Sequence, residues 1–238
     1  MHNNPQGATI LINELISYRL ASLLNITVPV HRIALVDNTT IGTVFDLTTV
    51  KMQFASKLLI APTQGRFYEQ LPKRYCRLVR NPDSISGGYI LRYWLGDRDS
   101  AQYIFWKRSR ERLFTVTSID FGYCLGGADW NIDDKILDDS ILHISPELSK
   151  MWYARLNNIS DADILLAFQN IPQEWSAGVG KRINELAKIV LHRKKLLASR
   201  LIRDHAHNNP LRDNGLISPG HFPQHIIQQT FVNNSPVQ

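Results

Sequence analysis

Cysteine is scarce in this 238-residue chain: Cys76 and Cys124 are the only two, too few for a disulfide framework and lacking the clustered spacing of a zinc site. Long apolar runs are missing as well. None approaches the roughly eighteen residues of a membrane helix, and the first turns of the chain carry Asn, Glu and Arg where a signal peptide needs an apolar centre. Those absences point to a soluble, cytoplasmic protein with no membrane partner. Lysine does not occur before Lys51, and only Gly7 and Gly42 precede Gly65, so neither a glycine-rich phosphate loop nor a strand lysine stands near the start.

What is present is a globular composition, 44% apolar, enough for a sizeable core in one or two domains. Lys and Arg total 27 against 21 Asp and Glu, a net charge of +6, which leaves anionic partners such as phosphates or nucleic acid open. Much of that excess lies in "KRINELAKIVLHRKKLLASRLIR", Lys181–Arg203. There Ile183, Leu186, Val190, Leu197 and Leu201 recur at helical spacing, and the basic residues are expected on the solvated face of a packed helix.

The spacing in "ATILINELISYRLASLLN" predicts a buried helix over residues 8–25 with Asn25 as a left-handed stop, followed by a strand over Arg32–Val36. Residues 38–86 read as loop with short helical pieces, punctuated by Pro62, Gly65, Pro72 and Pro82, with "LTTVKMQFASKLL" ambiguous between strand and helix. "GGYILRYWLG" reads as a short apolar helix or a buried run. "YIFWKRSRERLFTVTSI" then reads as two β-rich halves around a polar turn, a hairpin. Ser145 before Pro146 and Ser160 before early aspartates mark the starts of two later helices. From about Asp204 the composition turns to Asn, Pro, Gln and His, the signature of a poorly ordered tail. Trp94, Trp106, Trp130 and Trp152, with His31 and His143, are expected in packed surroundings. The plan is α+β.

A hairpin closing on itself would bring Asp97 and Gln102, ahead of its first strand, beside Asp120 at the end of its second. Phosphoryl transfer needs that kind of oxygen cluster: one carboxylate for the attacking hydroxyl and hard oxygen ligands for magnesium on the nucleotide phosphates. The stretches "GDRDSAQYIF" and "SIDFGYCLGG" resemble the catalytic loop and metal-binding motif of HipA-like kinases, which share a "GDRH-x-x-N … IDFG" pattern with phosphoinositide kinases. The stretch "NPQGATILINELISYRLASLLNITVPV" is independently similar to the family's N-terminal pattern.

The resemblance, covering roughly residues 3–203, implies a protein-kinase-like fold with a truncated small N-terminal lobe over 1–45, a mainly helical C-terminal lobe with the catalytic hairpin over 46–203, and a tail over 204–238. It implies ATP and Mg2+ as cofactors, Asp97 as catalytic base, Asp120 and Gln102 as metal and nucleotide ligands, and Glu14 as the helix glutamate that pairs with an ATP-positioning lysine. Gln102 stands where the family has asparagine, and Asp99 where histidine is common. The implied activity is transfer of a phosphoryl group to a Ser or Thr hydroxyl of a protein. A pseudokinase serving as a binding or regulatory module for a protein partner is the alternative; a basic nucleic-acid-associated protein, as in the family's toxin–antitoxin relatives, is a further one.

Overall fold

The computed structural model describes residues 7–35, 52–97, 99, 101–133 and 144–207, with side chains as far as Arg203. Helix α1 spans Ala8–Leu23, and every residue from Ile10 to Tyr18 is buried. Apolar residues fall on every side of it, interrupted by the buried polar Asn13, Glu14 and Ser17, so it lies inside the protein rather than on its surface. The helix stops where Asn25 adopts φ 56°: the amides of Asn25 and Ile26 turn back to the carbonyls of Ser22 and Ala21, a left-handed termination that asparagine tolerates better than most residues.

Strands β1 (His31–Leu35) and β2 (Met52–Ser56) pair antiparallel, from His31 opposite Ser56 to Leu35 opposite Met52. Position 36, the expected last residue of the first strand, lies outside the described residues. A lobe boundary at 45–46 would fall between two strands that pair along their whole length. The stretch expected to be loop contains a third strand, β3 (Gly65–Tyr68), which joins the edge of the hairpin β4 (Gln102–Arg108) and β5 (Thr115–Ile119) in the order β3-β4-β5. The cause of this edge strand is steric. A Cβ on Gly65 would stand 2.2 Å from the Lys107 carbonyl, so the glycine that reads as punctuation is what lets this edge strand approach its neighbour.

Helix α2 (Asp83–Leu95) precedes the hairpin, and α3 (Pro146–Asn157), α4 (Asp161–Ala167), the short α5 (Gln173–Ser176) and the long α6 (Gly180–His207) follow it. Ser145 caps α3 through the Leu148 amide, and Ser160 with Asp163 closes a capping box on α4, as the sequence predicts. Helix α6 continues past Asp204, where a tail is expected, to His207; 208–238 lie outside the described residues.

One large apolar core joins α1, α2, α3 and α6, with Trp94, Trp130, Trp152 and Trp175 buried in it. A smaller core of Leu71, Tyr103, Phe105, Phe114 and Val116 sits under the hairpin. The buried indoles each find an acceptor, Trp94 at the Val190 carbonyl and Trp152 at the Ser86 hydroxyl, both at 2.9 Å, as a buried N–H requires. Trp106 is only half-buried. His31 is packed edge-on to Tyr18 with ring centres 5.1 Å apart; His143 lies outside the described residues. Among the described residues no helix is long and apolar enough to cross a membrane.

The basic helix differs from its expectation. Ile183, Leu186, Val190, Leu197 and Leu201 are buried as the periodicity predicts, but so are Arg193, Lys194 and Arg200. Arg193 donates to the carbonyls of Tyr93, Trp94 and Asp133, and Lys194 to the carbonyl of Ile159. These buried cations are satisfied by main-chain oxygens of the last turn of α2 and of loops packed beside α6.

Candidate functional site

The approach to the hairpin is set by how α2 ends. Gly96 takes φ 62° and ψ 43°, its amide bonds the Tyr93 carbonyl, and the Asp97 amide bonds that of Arg92 at 2.9 Å. This left-handed glycine cap turns the chain sharply and delivers Asp97 back beside the last turn of its own helix.

Arg92, on that last turn, organises the site. Its guanidinium forms an ion pair with the Asp97 carboxylate, the two side chains being 5% and 1% exposed. From its other terminal nitrogen it donates to the carbonyls of Ile119 at 2.7 Å and Asp120 at 2.6 Å, and it lies over the Phe121 ring, 4.8 Å from the centroid. Asp97 also accepts the Asp99 amide at 2.9 Å and the Cys124 thiol at 3.5 Å. Burial pushes the Asp97 carboxyl above the usual range, and Arg92 opposes that shift. Burial likewise raises the Cys124 thiol well above its ordinary value, so Cys124 is a neutral hydrogen-bond donor here rather than a thiolate.

The strand register brings the remaining groups together. Gln102 stands opposite Ile119, so Asp120 follows immediately at the mouth of the hairpin. Asp120 is exposed, in the left-handed region at φ 58°. The Gln102 side-chain amide donates to the Asp99 carboxylate at 3.4 Å, leaving its amide oxygen as the acceptor that could meet a cation. The carboxylate of Asp97 is turned inward while those of Asp99 and Asp120 face outward.

Glu14 is buried at 4% exposure and reaches the same turn from α1. Its Oε1 accepts the Phe121 amide at 2.9 Å, and Oε2 is buried without a hydrogen-bond partner. Burial first, then the charge of Asp120, pushes its carboxyl up to about 8. The resemblance gives this glutamate a lysine partner; among the described residues its bond goes to backbone instead. Asn13 beside it donates to the carbonyls of Gly122 and Gly127 at 2.7 and 3.2 Å and accepts the Trp130 indole N–H at 2.7 Å. Two adjacent polar residues of a largely apolar helix thus hold the loop that follows Asp120.

Sequence reasoning missed Arg92, Asn13 and Cys124. The available signal was a lone arginine in "GGYILRYWLG" and an Asn-Glu pair in "ILINELIS": a charge or amide inside a buried helix must find a partner across the core.

Among the described residues no three His, Cys, Asp or Glu side chains gather as a metal cage. Magnesium bound with a nucleotide does not require one, since it keeps several waters and takes one or two protein oxygens beside the phosphates. The exposed Asp120 carboxylate and the Gln102 amide oxygen fit that donor set. Comparison of the chain with protein-family models, with curated proteins and with solved structures gives no match.

Proposed function

We propose that the chain is a HipA-like phosphotransferase that takes ATP with Mg2+ at the mouth of the β4–β5 hairpin and phosphorylates a Ser or Thr hydroxyl of a protein. The observation that carries this reading is the single guanidinium of Arg92, which bonds the carboxylate of Asp97 and the main chain of Asp120 at once. That bond holds the Asp97 carboxylate close to the main chain of Asp120, the proximity a shared site requires. Bound Mg2+ would neutralise charge on the nucleotide phosphates. Asp120 and Gln102 would hold it, Glu14 and Asn13 fix the turn that aims Asp120, and Asp97, once released by Arg92, would orient the acceptor hydroxyl and take its proton.

A second reading, a pseudokinase that binds nucleotide or a protein partner without turnover, is favoured by one observation: the Asp97 side chain is 1% exposed and paired. A general base must reach its substrate within hydrogen-bond distance, so turnover in this protein requires Arg92 to release Asp97. Titration calorimetry with ATP, with and without Mg2+, tests the site, and a phosphoryl-transfer assay separates the two readings. Mg2+-dependent binding that Asp120→Asn abolishes is expected; wild-type protein that takes up no nucleotide overturns the phosphotransferase and leaves only a pseudokinase that binds a protein partner. Binding without transfer, unchanged in Asp97→Asn, leaves the pseudokinase.

A further inference from the structure

We propose that a groove between α1, β1 and α4, separate from the hairpin mouth, binds a small organic acid with a single negative charge and an apolar body. Arg19 lies five residues beyond Glu14, about 140° further round α1 at the helical repeat, so it leaves the helix on a different side from the candidate site. It borders a cavity of roughly 400 Å³ together with Ser22, Leu23, His31, Leu166 and Ala167, a size within the range of ligand pockets.

The chemistry of the walls selects the ligand. Arg19 is half-buried, and among the described residues its hydrogen bonds run from Nη1 to the carbonyls of Ala167 and Gln169, at 3.0 and 2.6 Å. Among the described residues no carboxylate pairs with it, and Nη2 and Nε are left over, the edge of a guanidinium that receives a carboxylate in two parallel bonds. A cation already partly stripped of water gains from an anion that completes its shell. Leu23 and Leu166, 38% and 56% exposed, offer apolar surface for the rest of the molecule.

Charge sets the valence. Asp163, also on the wall, has its carboxylate engaged by the Ser160 amide and hydroxyl at 3.1 and 2.6 Å; it makes no ion pair with Arg19, and its charge repels added negative charge. His31 is held toward its neutral form by burial. One cation facing one nearby anion suits a monocarboxylate and disfavours a phosphate dianion.

The test uses the full chain and follows backbone amide resonances of Ser22, Leu166 and Ala167 during titration with hexanoate, with hexanol and inorganic phosphate as controls. Saturable shifts with hexanoate at millimolar concentration are expected, with hexanol and phosphate at least about tenfold weaker, a difference of about 1.4 kcal/mol. Leu166→Trp, at an exposed position, should fill the groove and weaken hexanoate by a similar factor while Arg19 keeps its carbonyl bonds. Arg19→Gln should abolish the preference for hexanoate over hexanol. No shifts in the wild type, equal binding of hexanol, or stronger binding of phosphate would each overturn the proposal. Because ATP binding at the hairpin mouth is read separately, this outcome is independent of that site's.

Discussion

Glu14 accepts the backbone amide of Phe121 at 2.9 Å across 107 positions of sequence. The bond fixes the turn after Asp120 to a helix in the middle of the core, and it leaves the second carboxyl oxygen of Glu14 buried without a partner. The opposition between that burial and the bond it makes gives the protein its clearest pH signature.

With its carboxyl pushed up to about 8 by burial and by Asp120, Glu14 is protonated in the folded chain at pH values where it is ionised in the unfolded one. The folded state binds more protons across that window, so stability falls as pH rises from the ordinary glutamate range toward 8 and levels off above it. Thermal denaturation between pH 5 and 9 should show this decline, amounting to several kilocalories per mole. Glu14→Gln, which keeps an oxygen for Phe121, should flatten the curve; an unchanged slope would show that Glu14 does not carry it.

Arg92→Leu leaves the Asp97 carboxylate buried without its cation and frees the carbonyls of Ile119 and Asp120. Loss of one partner of a buried pair typically costs about 3–5 kcal/mol. Urea unfolding should show a loss of that size, and the double variant Arg92→Leu/Asp97→Leu should recover part of it. Equal losses in the single and double variants would mean that the ion pair is not the source.

Asn13→Ala removes one amide that serves two carbonyls and an indole. Leaving such buried groups unsatisfied costs about 1–3 kcal/mol each, and the penalty falls on one loop. Hydrogen exchange should therefore accelerate at Phe121–Gly127 more than in α6. A uniform acceleration over the whole chain would mean that Asn13 supports the fold generally rather than the loop.

Replacing Gln102 by asparagine shortens the side chain by one methylene at a half-buried strand position. If Gln102 is a magnesium ligand, Gln102→Asn should tighten Mg2+-dependent ATP binding with little change in unfolding midpoint. Binding that is insensitive to residue 102 would place the second oxygen ligand elsewhere.

On α6, Arg193→Gln should lower the unfolding midpoint through loss of bonds to Tyr93, Trp94 and Asp133. Lys195→Gln, at an exposed site, should stay within about 0.5 kcal/mol of wild type. Similar effects from the two would contradict the partition of this helix into buried and solvated cations.

Much of the local structure was legible because its causes are local. The Ser145 and Ser160 caps, the Asn25 stop and the turn between β4 and β5 follow from side chains acting on backbone a few positions away. The pairing of Gln102 with Ile119 follows from closing that turn. Strand β3 was hidden because it is defined by its partner: nothing in "GRFY" announces an edge strand until β4 supplies the ladder. The burial of Arg193, Lys194 and Arg200 was hidden for the same reason, since a basic residue on a helix reads as solvated until carbonyls from other elements are placed over it.

By itself the sequence determined the order of helices and strands, the hairpin, and the placement of Asp97, Gln102 and Asp120 around its open end, because periodicity, capping and antiparallel closure are short-range. Tertiary structure alone decided that Asp97 turns inward onto Arg92, that Glu14 and Asn13 grip the loop after Asp120, and that Arg19 borders a groove beside α4. Those outcomes depend on which groups lose water together in the core, and residues more than a hundred positions apart meet there only after the chain has packed.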